Sequence, residues 1–480
     1  MALILVLAAL TVLTVMLTEI QDESSAEFGS ALSARDALVA EYAAKSAVNL
    51  SRLLIAAEPT IRKSLTLIFA LVGGPRQVPV WQYADRILGA FNDSDGVDSF
   101  AALAGVDPKL GKNLGFKGAG FKLDIVDEDS KINVNQAARG TAASETLVAQ
   151  QIMGLISSPQ YNSMFEGKDA DGQYTDRRAL CSAIIDWADP NQDQASCDVT
   201  SATAQQAGAE DSFYQLLKKP YQRKNAAFDS LEELHRVRGI SDDFWTTFVD
   251  PDPDKPSKRI LTVWGQGTIN VNTANPQTLL ALVCQASNNT ALMCLDANEA
   301  QKFLMALTML QSFMPGLPVF ANASDFISAL QQGSTAAAGT PGQPAPTTAG
   351  SSPVSMIMKA MGIQPIPLLA PAQLKNQITT ESKVFSIYAT GYVRSGKRET
   401  SVHLHAVVDF RGAPTPDQVA SQIAAQIAAA TGQAAPGASS AAAATQPPPN
   451  SANSASSALQ GIQAALKPGS GGNIVYYRVD

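Results

Sequence analysis

The amino terminus places the strongest constraint on this chain. Its first eighteen residues, Met1 to Thr18, carry no charge, and acidic residues begin at Glu19. Eighteen helical residues rise about 27 Å, close to the roughly 30 Å hydrocarbon core of a bilayer. A secretory signal peptide starts with basic residues, whereas the first basic residue here is Arg35. Residues 1–18 therefore predict a transmembrane segment.

The helical pattern continues beyond this segment. Between residues 19 and 58, large apolar residues recur at spacings of three and four, with charged residues between them. This spacing is typical of an amphipathic helix. Pro59 is predicted to end it, because proline lacks the N–H that the next helical hydrogen bond needs. We expect one long helix over residues 1–58, lipid-exposed at first and amphipathic later.

Strand patterns appear at two places downstream. In residues 59–136, Phe121–Ile125 and Ile132–Val134 alternate in polarity on either side of the turn-forming segment Asp127–Ser130, which predicts a first β-hairpin. In residues 353–411, KVFSIYATGYV and ETSVHLHAVVDF flank the turn RSGKR and predict a second hairpin.

The remaining segments divide by composition. Residues 137–333 read as mainly helical, and 334–352 form a Pro/Gly/Thr-rich linker. Residues 412–472 are rich in Ala, Pro, Ser and Gln and are predicted to be disordered, and 473–480 have strand character. The order predicts an α+β fold, in which a long N-terminal helix packs on a small antiparallel sheet and a large α-helical domain is inserted.

Composition and motifs exclude several function classes. The net charge of −8 disfavours binding to nucleic acid through phosphate neutralisation. The sequence contains no GxSxG, HExxH or P-loop motif, so we expect no enzymatic activity. His403 and His405 share one face of a predicted strand, but without a third ligand an exposed polar sheet face is favoured over a metal site.

The four cysteines are Cys181, Cys197, Cys284 and Cys294. Their short separations fit two local disulfides formed in an oxidising compartment, although four cysteines allow three connectivities. Four buried free thiols are the alternative.

The tetrapeptide INVN occurs twice, at 132–135 and 269–272. The second copy leads into a helix that Asn272 or Thr273 is predicted to cap, with Pro276 in its first turn. INVNTA and SLEELHRVRGI, which carries Gly239, also resemble the entry to helix-hairpin-helix DNA-binding modules. A membrane-anchored protein that binds DNA during its uptake is therefore the alternative function.

Several motifs, taken in order, resemble one family. They are the apolar N-terminus, ARDALVAEYAAKSAVNLSRLL, DEDSKINVN, AIIDWADPNQD, GAEDSFY, KNAAFDSLEELHRVRGI and TINVNTA. This series resembles the type II secretion minor pseudopilin called general secretion pathway protein K. The resemblance implies a pseudopilin fold with an inserted α-domain, and a subunit that caps the pseudopilus tip and helps to initiate its assembly for protein export.

The family also assigns a role to the first residues. Major pilins usually carry Glu at the fifth mature position, where it meets the amino terminus of a neighbouring subunit, whereas this chain has Leu5. If Met1 is the mature residue, the chain cannot make that contact inside a fibre. Met1 and Leu5 are therefore the predicted assembly residues.

The resemblance further implies a calcium site, partners and a location. Oxygen-rich side chains follow the helix AIIDWA, and the predicted ligands are Asp189, Asn191, Asp193, Glu210 and Asp211. From chemistry alone, a solvated acidic loop explains them equally well. The implied partners are I- and J-type minor pseudopilins, the inner membrane of a Gram-negative cell, and the secretin or secreted cargo, with the bulk of the chain in the periplasm and no nucleic acid bound.

Overall fold

A computed structural model describes most of the chain. The described residues are 2–64, 79–92, 118–166, 174–198, 212–313, 318–331, 353–414, 418 and 471–480. The predicted linker 334–352 lies entirely outside these residues, and nearly all of the segment predicted to be disordered also lies outside them.

A single helix, α1, spans Ala2–Ser64 and passes through Pro59. The prediction that Pro59 ends the helix is therefore wrong. Contacts made by the last turn offset the loss of one backbone hydrogen bond, because the Arg62 guanidinium bonds both Glu58 (3.0 Å) and Glu381 (2.8 Å). The first half of α1 is exposed along its length, and this half is long and apolar enough to cross a membrane.

The remaining helices lie mainly between residues 142 and 377. They are α2 (Ala84–Leu88), α3 (Ala142–Ile156), α4 (Arg177–Ala188), α5 (Ser212–Gln215), α6 (Asp242–Phe244), α7 (Pro276–Ala286), α8 (Leu292–Leu295), α9 (Ala297–Phe313), α10 (Ala323–Gln331), α11 (Pro353–Ala360) and α12 (Pro371–Gln377). Short 3-10 turns occur between them, including Glu128–Ser130, Val134–Arg139 and Leu231–Arg236.

Eight strands are present in the described residues. They are β1 (Ala119–Asp127), β2 (Ile132–Asn133), β3 (Leu261–Thr262), β4 (Ile269–Asn270), β5 (Ile378–Thr379), β6 (Val384–Ser395), β7 (Arg398–Asp409) and β8 (Asn473–Val479). The main sheet has the order β1-β6-β7-β8 and is antiparallel throughout. β6 and β7 form the predicted second hairpin, and β8 is the edge strand beside β7.

The predicted first hairpin is wrong. β1 pairs with β6, from Ala119 opposite Val393 to Asp127 opposite Phe385. β2 leaves this sheet and pairs in parallel with β3. The alternating pattern of residues 119–127 correctly predicts a strand. Its partner, β6, follows the whole insert in the chain and cannot be identified from local turn chemistry.

Two large apolar cores are present in the described residues, one beneath the sheet and one in the insert. The α1 helix lies on the sheet through small residues, and Ala40, Ala44 and Ala47 are fully buried there. A Cβ atom on Gly391 of β6 would overlap the Ala40 carbonyl oxygen, so glycine is required for this close approach. The second core belongs to the insert, where α3, α4 and α7 pack together. The α+β fold with a helical insertion is therefore confirmed.

Three consecutive acids lie where the insert joins the sheet. Asp127, Glu128 and Asp129 are buried, with 2%, 3% and 1% of their surface exposed. The Asp127 carboxylate accepts hydrogen bonds from the hydroxyls of Thr273 in the insert and Ser382 before β6. The segment forms a turn, as predicted, but the turn does not join two strands of a hairpin. It bonds the end of β1 to both neighbouring parts of the chain.

The other two acids complete this junction. Glu128 pairs with Lys131 at 2.9 Å and accepts a hydrogen bond from the Thr262 hydroxyl in β3. Asp129 accepts hydrogen bonds from three backbone N–H groups, those of Gln266 (2.8 Å), Lys383 (2.7 Å) and Val384 (3.1 Å). We call Asp127–Asp129 and these partners the acidic junction.

The close packing of α1 on β6 gives a testable prediction. Gly391→Ala should lower the free energy of unfolding by about 1–3 kcal/mol, because the new methyl group forces α1 and β6 apart. The measurement is urea unfolding of the full-length chain in detergent. The matched control is Gly412→Ala, since no atom lies within 4 Å of a Cβ built there. Equal stability of the two variants would show that the helix–sheet contact is loose.

Candidate functional site

The acidic loop predicted to bind calcium follows helix α4. The side chain of Asp176 caps the start of α4 by accepting a hydrogen bond from the Ala179 N–H (2.7 Å). The helix ends before Asp189, and the loop then returns to α4 through a disulfide between Cys181 and Cys197. The loop is therefore covalently closed on the helix that precedes it.

Hydrogen bonds fix the loop in place. The Ala195 N–H donates to Asp186 Oδ1, and the Ser182 hydroxyl donates to the Ala195 carbonyl, both at 2.7 Å. The Arg223 guanidinium donates to the carbonyls of Asp186 (3.0 Å) and Asn191 (3.2 Å). A loop held at several points along its backbone presents its side chains in fixed positions.

Three oxygen-bearing side chains meet between this loop and helix α3. The Asn191 amide nitrogen donates to Asp189 Oδ2 (3.1 Å) and to Glu145 Oε1 (3.3 Å). The other carboxylate oxygen, Asp189 Oδ1, is buried and has no hydrogen-bond partner in the described part of the chain. A buried carboxylate oxygen without a donor is costly, so this position favours a positively charged ligand.

The electrostatics of the cluster also favour a positively charged ligand. Burial, together with the nearby charge of Glu145, raises the pKa of Asp189 to about 6. Burial raises the pKa of Asp186 to about 7, although its hydrogen bond from Ala195 opposes this. Burial also raises the pKa of Glu145. Arg223 lowers the pKa of both aspartates without cancelling the effect, so the cluster lacks positive charge.

The structure brings together two of the five predicted ligands, Asp189 and Asn191. Asp193 is exposed, and its backbone N–H bonds Asn191 Oδ1 (2.7 Å). Glu210 and Asp211 lie outside the described residues. Within the described residues, no three His, Cys, Asp or Glu side chains form a metal-binding group.

Glu145 belongs to this cluster and was not predicted. It lies in the first turn of α3, 46 residues before Asn191 in the chain. Its acidic position near a helix N-terminus suggests only a favourable charge–dipole interaction. No local sequence signal could have connected it to the loop after α4.

The structure contains two disulfides, Cys181–Cys197 and Cys284–Cys294. These are the local pairings, closing separations of 16 and 10 residues, and no cysteine in the structure is free. The second disulfide joins the end of α7 to α8 and buries both sulfur-bearing residues in the core of the insert.

The predicted assembly residues lie at the start of α1. Leu5 is 71% exposed, in a helix surface made of apolar side chains. Met1 lies outside the described residues. An exposed leucine in this helix is compatible with lipid on all sides.

The two INVN segments have the same local structure. In each, the first Asn accepts a hydrogen bond from the backbone N–H two residues later, and the second Asn bonds a distant backbone. Asn135 bonds the N–H and carbonyl of Phe228, and Asn272 bonds the same two groups of Phe320. The prediction that Asn272 or Thr273 caps α7 is wrong, because Asn275 caps it, with Pro276 first in the helix.

The segment that resembled a helix-hairpin-helix module does not form an α-helical pair. SLEELHRVRGI contains a 3-10 helix at Leu231–Arg236, followed by the three-residue helix α6. The basic residues in this segment and in the loop that follows it are largely engaged within the chain. His235 stacks on Trp245, Arg238 lies over Phe213, Lys258 pairs with Asp252, and Arg259 pairs with Asp250. No feature here favours the DNA-binding alternative.

Comparison with known proteins identifies the segment that carries the acidic loop. Residues 130–248 match the family model described as "Type II secretion system (T2SS), protein K". Over these residues the chain is similar to the protein K family. A comparison with curated proteins finds no match.

Among solved structures, a chain in the crystal structure of the GspK-GspI-GspJ complex from the type II secretion system of enterotoxigenic Escherichia coli is similar to this protein. The two chains have 15% sequence identity, the match covers 68% of this chain and 92% of that chain, and the TM-score is 0.36.

The protein K segment contains most of the features described above. Glu145, Asp189 and Asn191 lie within residues 130–248, as does the Cys181–Cys197 disulfide. The first INVN segment also lies within this range. The family is described as a component of the type II secretion system.

The two histidines of β7 line a cleft between the sheet and the protein K segment. The cleft has a volume of about 580 Å³. His403 Nδ1 shares a hydrogen bond of 3.0 Å with the Thr390 hydroxyl, and His405 stacks on the Tyr388 ring at 4.2 Å. Burial lowers the pKa of His405 to about 4, so its imidazole is neutral at physiological pH. The described residues contain no group that would hold a metal with these histidines.

His405 makes the stability of the fold depend on pH. Because its pKa is lower in the folded chain than in the unfolded chain, the unfolded chain binds more protons as pH falls from about 6.5 to about 4. Stability contributed by the neutral ring is present above this range and lost within it. His405→Gln should lose less stability than wild type between pH 7 and pH 5, as measured by urea midpoints. The exposed His403→Gln is the control, and equal pH slopes for all three proteins would contradict the assignment.

Proposed function

We propose that this chain is a non-enzymatic minor pseudopilin that caps the tip of the type II secretion pseudopilus and helps to initiate its assembly. The observation that carries the proposal is the arrangement of the molecule along α1. Its apolar, lipid-facing half is at one end, and the large insert is joined at the other.

The membrane end supports a terminal position. The exposed apolar surface of α1 fits a single-pass anchor, which in this proposal lies in the inner membrane of a Gram-negative cell. If Met1 is the mature residue, Leu5 stands where a major pilin has the carboxylate that bonds the amino terminus of a neighbouring subunit. A chain without that carboxylate at the fifth mature position would be poorly suited to a position inside the shaft.

The end of α1 that is far from the proposed membrane span supports a capping role. Arg62, in the last turn of α1, bonds Glu381 just before β6, and the Glu381 carbonyl accepts a hydrogen bond from Gln266 of the insert. The insert is therefore attached where α1 ends, at the point farthest from the proposed membrane span. A subunit stacked above it in a regular fibre would meet this bulk.

Partners follow from the same proposal. The related crystal structure is of a complex between GspK, GspI and GspJ, so we expect I- and J-type minor pseudopilins to bind this chain. The bulk of the chain would lie in the periplasm, where disulfides persist. From the tip, the insert would be the first part of the fibre to meet the secretin or secreted cargo.

Deletion and labelling test this function. Deleting the gene should abolish exoprotein secretion, because the fibre lacks the subunit that starts it. An epitope placed in the linker 334–352 should label one end of overproduced pseudopili in electron micrographs. Labels spaced along the shaft would contradict capping. Loss of DNA uptake with normal secretion would favour the DNA-binding alternative.

We also propose that the acidic cluster binds calcium. The donors are hard oxygens, which suit this ion, and the buried Asp189 Oδ1 provides a ligand atom with no competing partner in the described residues. Glu145 and Asp189 would supply carboxylate oxygens to the ion, and Asn191, Asp193, Glu210 and Asp211 remain predicted ligands. The ion would supply the positive charge that the raised pKa values show to be missing.

Calcium should therefore stabilise the chain. At a concentration about 100 times the dissociation constant, the gain is about 2.7 kcal/mol, which raises the melting temperature by several degrees. The measurement is thermal unfolding in calcium and in a chelator. Asp189→Asn should remove the difference, whereas the control Asp254→Asn, in an exposed loop, should retain it. An unchanged melting temperature of the wild-type chain would remove the calcium site.

A further inference from the structure

The two edges of the main sheet differ. At the β1 edge, side chains form hydrogen bonds with backbone groups of the strand. Asn92 accepts a hydrogen bond from the Phe121 N–H (2.9 Å) and donates to the Phe121 carbonyl (2.5 Å), and Asp85 accepts from the Leu123 N–H (3.0 Å). At the other edge, no strand of the described chain pairs with the outer side of β8.

The register identifies the open groups of β8. Asp480 and His403 exchange both backbone hydrogen bonds, at 2.8 Å and 3.0 Å. In an antiparallel ladder, residues alternate between pointing their N–H and carbonyl toward the partner strand and away from it. The backbone groups of Val479 and Tyr477 therefore point away from β7, toward solvent.

On the sheet face that packs on α1, the side chains at this edge are apolar. Tyr477 lies opposite Ala406 and Val479 lies opposite Leu404, so both project from the sheet face that packs on α1. Tyr477 is 44% exposed and Val479 is 40% exposed. Edge strands are normally protected by charged side chains, lysine above all, or by proline. Residues 473–479 contain no lysine or proline, and their one charged residue, Arg478, faces the cleft on the opposite side of the sheet. The backbone and side chains together form a surface for an added strand.

The apolar surface continues onto α1. Leu38 and Tyr42 are 54% and 51% exposed, and they share a helix face with Lys45 and Arg52. This face borders β8, because Arg52 donates to the carbonyls of Gly471 and Gly472 (both 2.8 Å). The same face runs toward the apolar half of α1. The open edge is therefore continuous with the surface that enters the membrane.

Strand direction excludes one occupant, a second copy of this chain. β6 runs antiparallel to α1, because Glu381 lies beside Arg62 and Ser395 lies beside Asp36. β8 lies two antiparallel strands away and has the same direction as β6. A symmetric β8–β8 pair would be antiparallel and would point the two α1 helices in opposite directions. Two helices inserted in one membrane from the same side cannot do so.

We propose that β8 pairs with an extended segment of a different membrane-anchored protein, whose apolar helix lies along the Leu38 and Tyr42 face of α1. Strand addition provides backbone hydrogen bonds, and Tyr477 and Val479 supply apolar contacts. This inference rests on the proposed function, which requires lateral neighbours anchored in the same membrane. It adds the surface through which this chain binds one of them.

The test uses the full-length chain in membranes, co-expressed with its I- and J-type minor pseudopilins. Tyr477→p-benzoyl-L-phenylalanine places a photocrosslinker at the open edge. Arg478→p-benzoyl-L-phenylalanine is the matched control, because Arg478 faces the cleft on the opposite side of the sheet. A crosslink from position 477 to an I- or J-type subunit, with little from position 478, is the expected result.

A backbone variant tests strand pairing itself. Val479→Pro removes an N–H that points to solvent, so no hydrogen bond to β7 is lost and the melting temperature should not change. The crosslink from position 477 should fall at least about tenfold, and Val479→Thr, which keeps the N–H, should restore it.

Three outcomes would overturn the inference: an undiminished crosslink in Val479→Pro, a crosslink within the same chain, or a crosslink to a second copy. If secretion still depends on the gene in those cases, the proposed function stands and this surface is wrong. If deletion of the gene leaves secretion intact, the proposed function fails, and the inference fails with it.

Discussion

The acidic junction is the interaction on which the rest of the molecule depends. Burying three consecutive carboxylates would cost several kcal/mol each if they were left without donors. Here each accepts hydrogen bonds or an ion pair, and the donors come from separate parts of the chain: the insert and the segment just before β6. Removing any one partner leaves a buried charge underbonded. The junction therefore forms only when the insert and the sheet are both folded and correctly placed.

Local sequence predicted those elements whose partners are near in the chain. The β6–β7 hairpin has a two-residue turn at Gly396, and its strands alternate clearly, so pairing and register follow from short-range signals. β1 has an equally clear pattern, yet its partner β6 begins more than 250 residues later, and DEDS resembled a turn because acidic and small residues favour turns. Pro59 was misread for a related reason. The ion pair between Arg62 and Glu381 extends the helix, and neither residue signals the other in the sequence.

The residues of the candidate calcium site also differ in whether the local sequence predicts them. Asp189 and Asn191 are predicted as ligands because a run of oxygen-bearing residues follows one helix and because the chain resembles protein K. Glu145 could not, since α3 and the loop after α4 meet only in the folded insert. The INVN segments show the converse. Their repeated sequence suggested a helix cap or a DNA contact, whereas Asn135 and Asn272 bond distant backbone segments and hold loops together. A short polar motif specifies a local turn, but its long-range partner is set by the fold.

In the proposed function the subunit is anchored at one end and loaded at the other, and the polar character of the junction suits that arrangement. The core beneath the sheet and the core of the insert share no buried residue, so apolar contact alone does not fix one relative to the other. Apolar contacts are non-directional and permit sliding, whereas hydrogen bonds to a carboxylate weaken steeply when their geometry changes. At the opposite end of the sheet, Asp36 bonds Arg398 and Ser395, so α1 is tied to the sheet by charge at both ends. Under the proposed function, a force applied to the insert would pass through these directional bonds to β1, β6 and α1 before it reached the apolar half of α1.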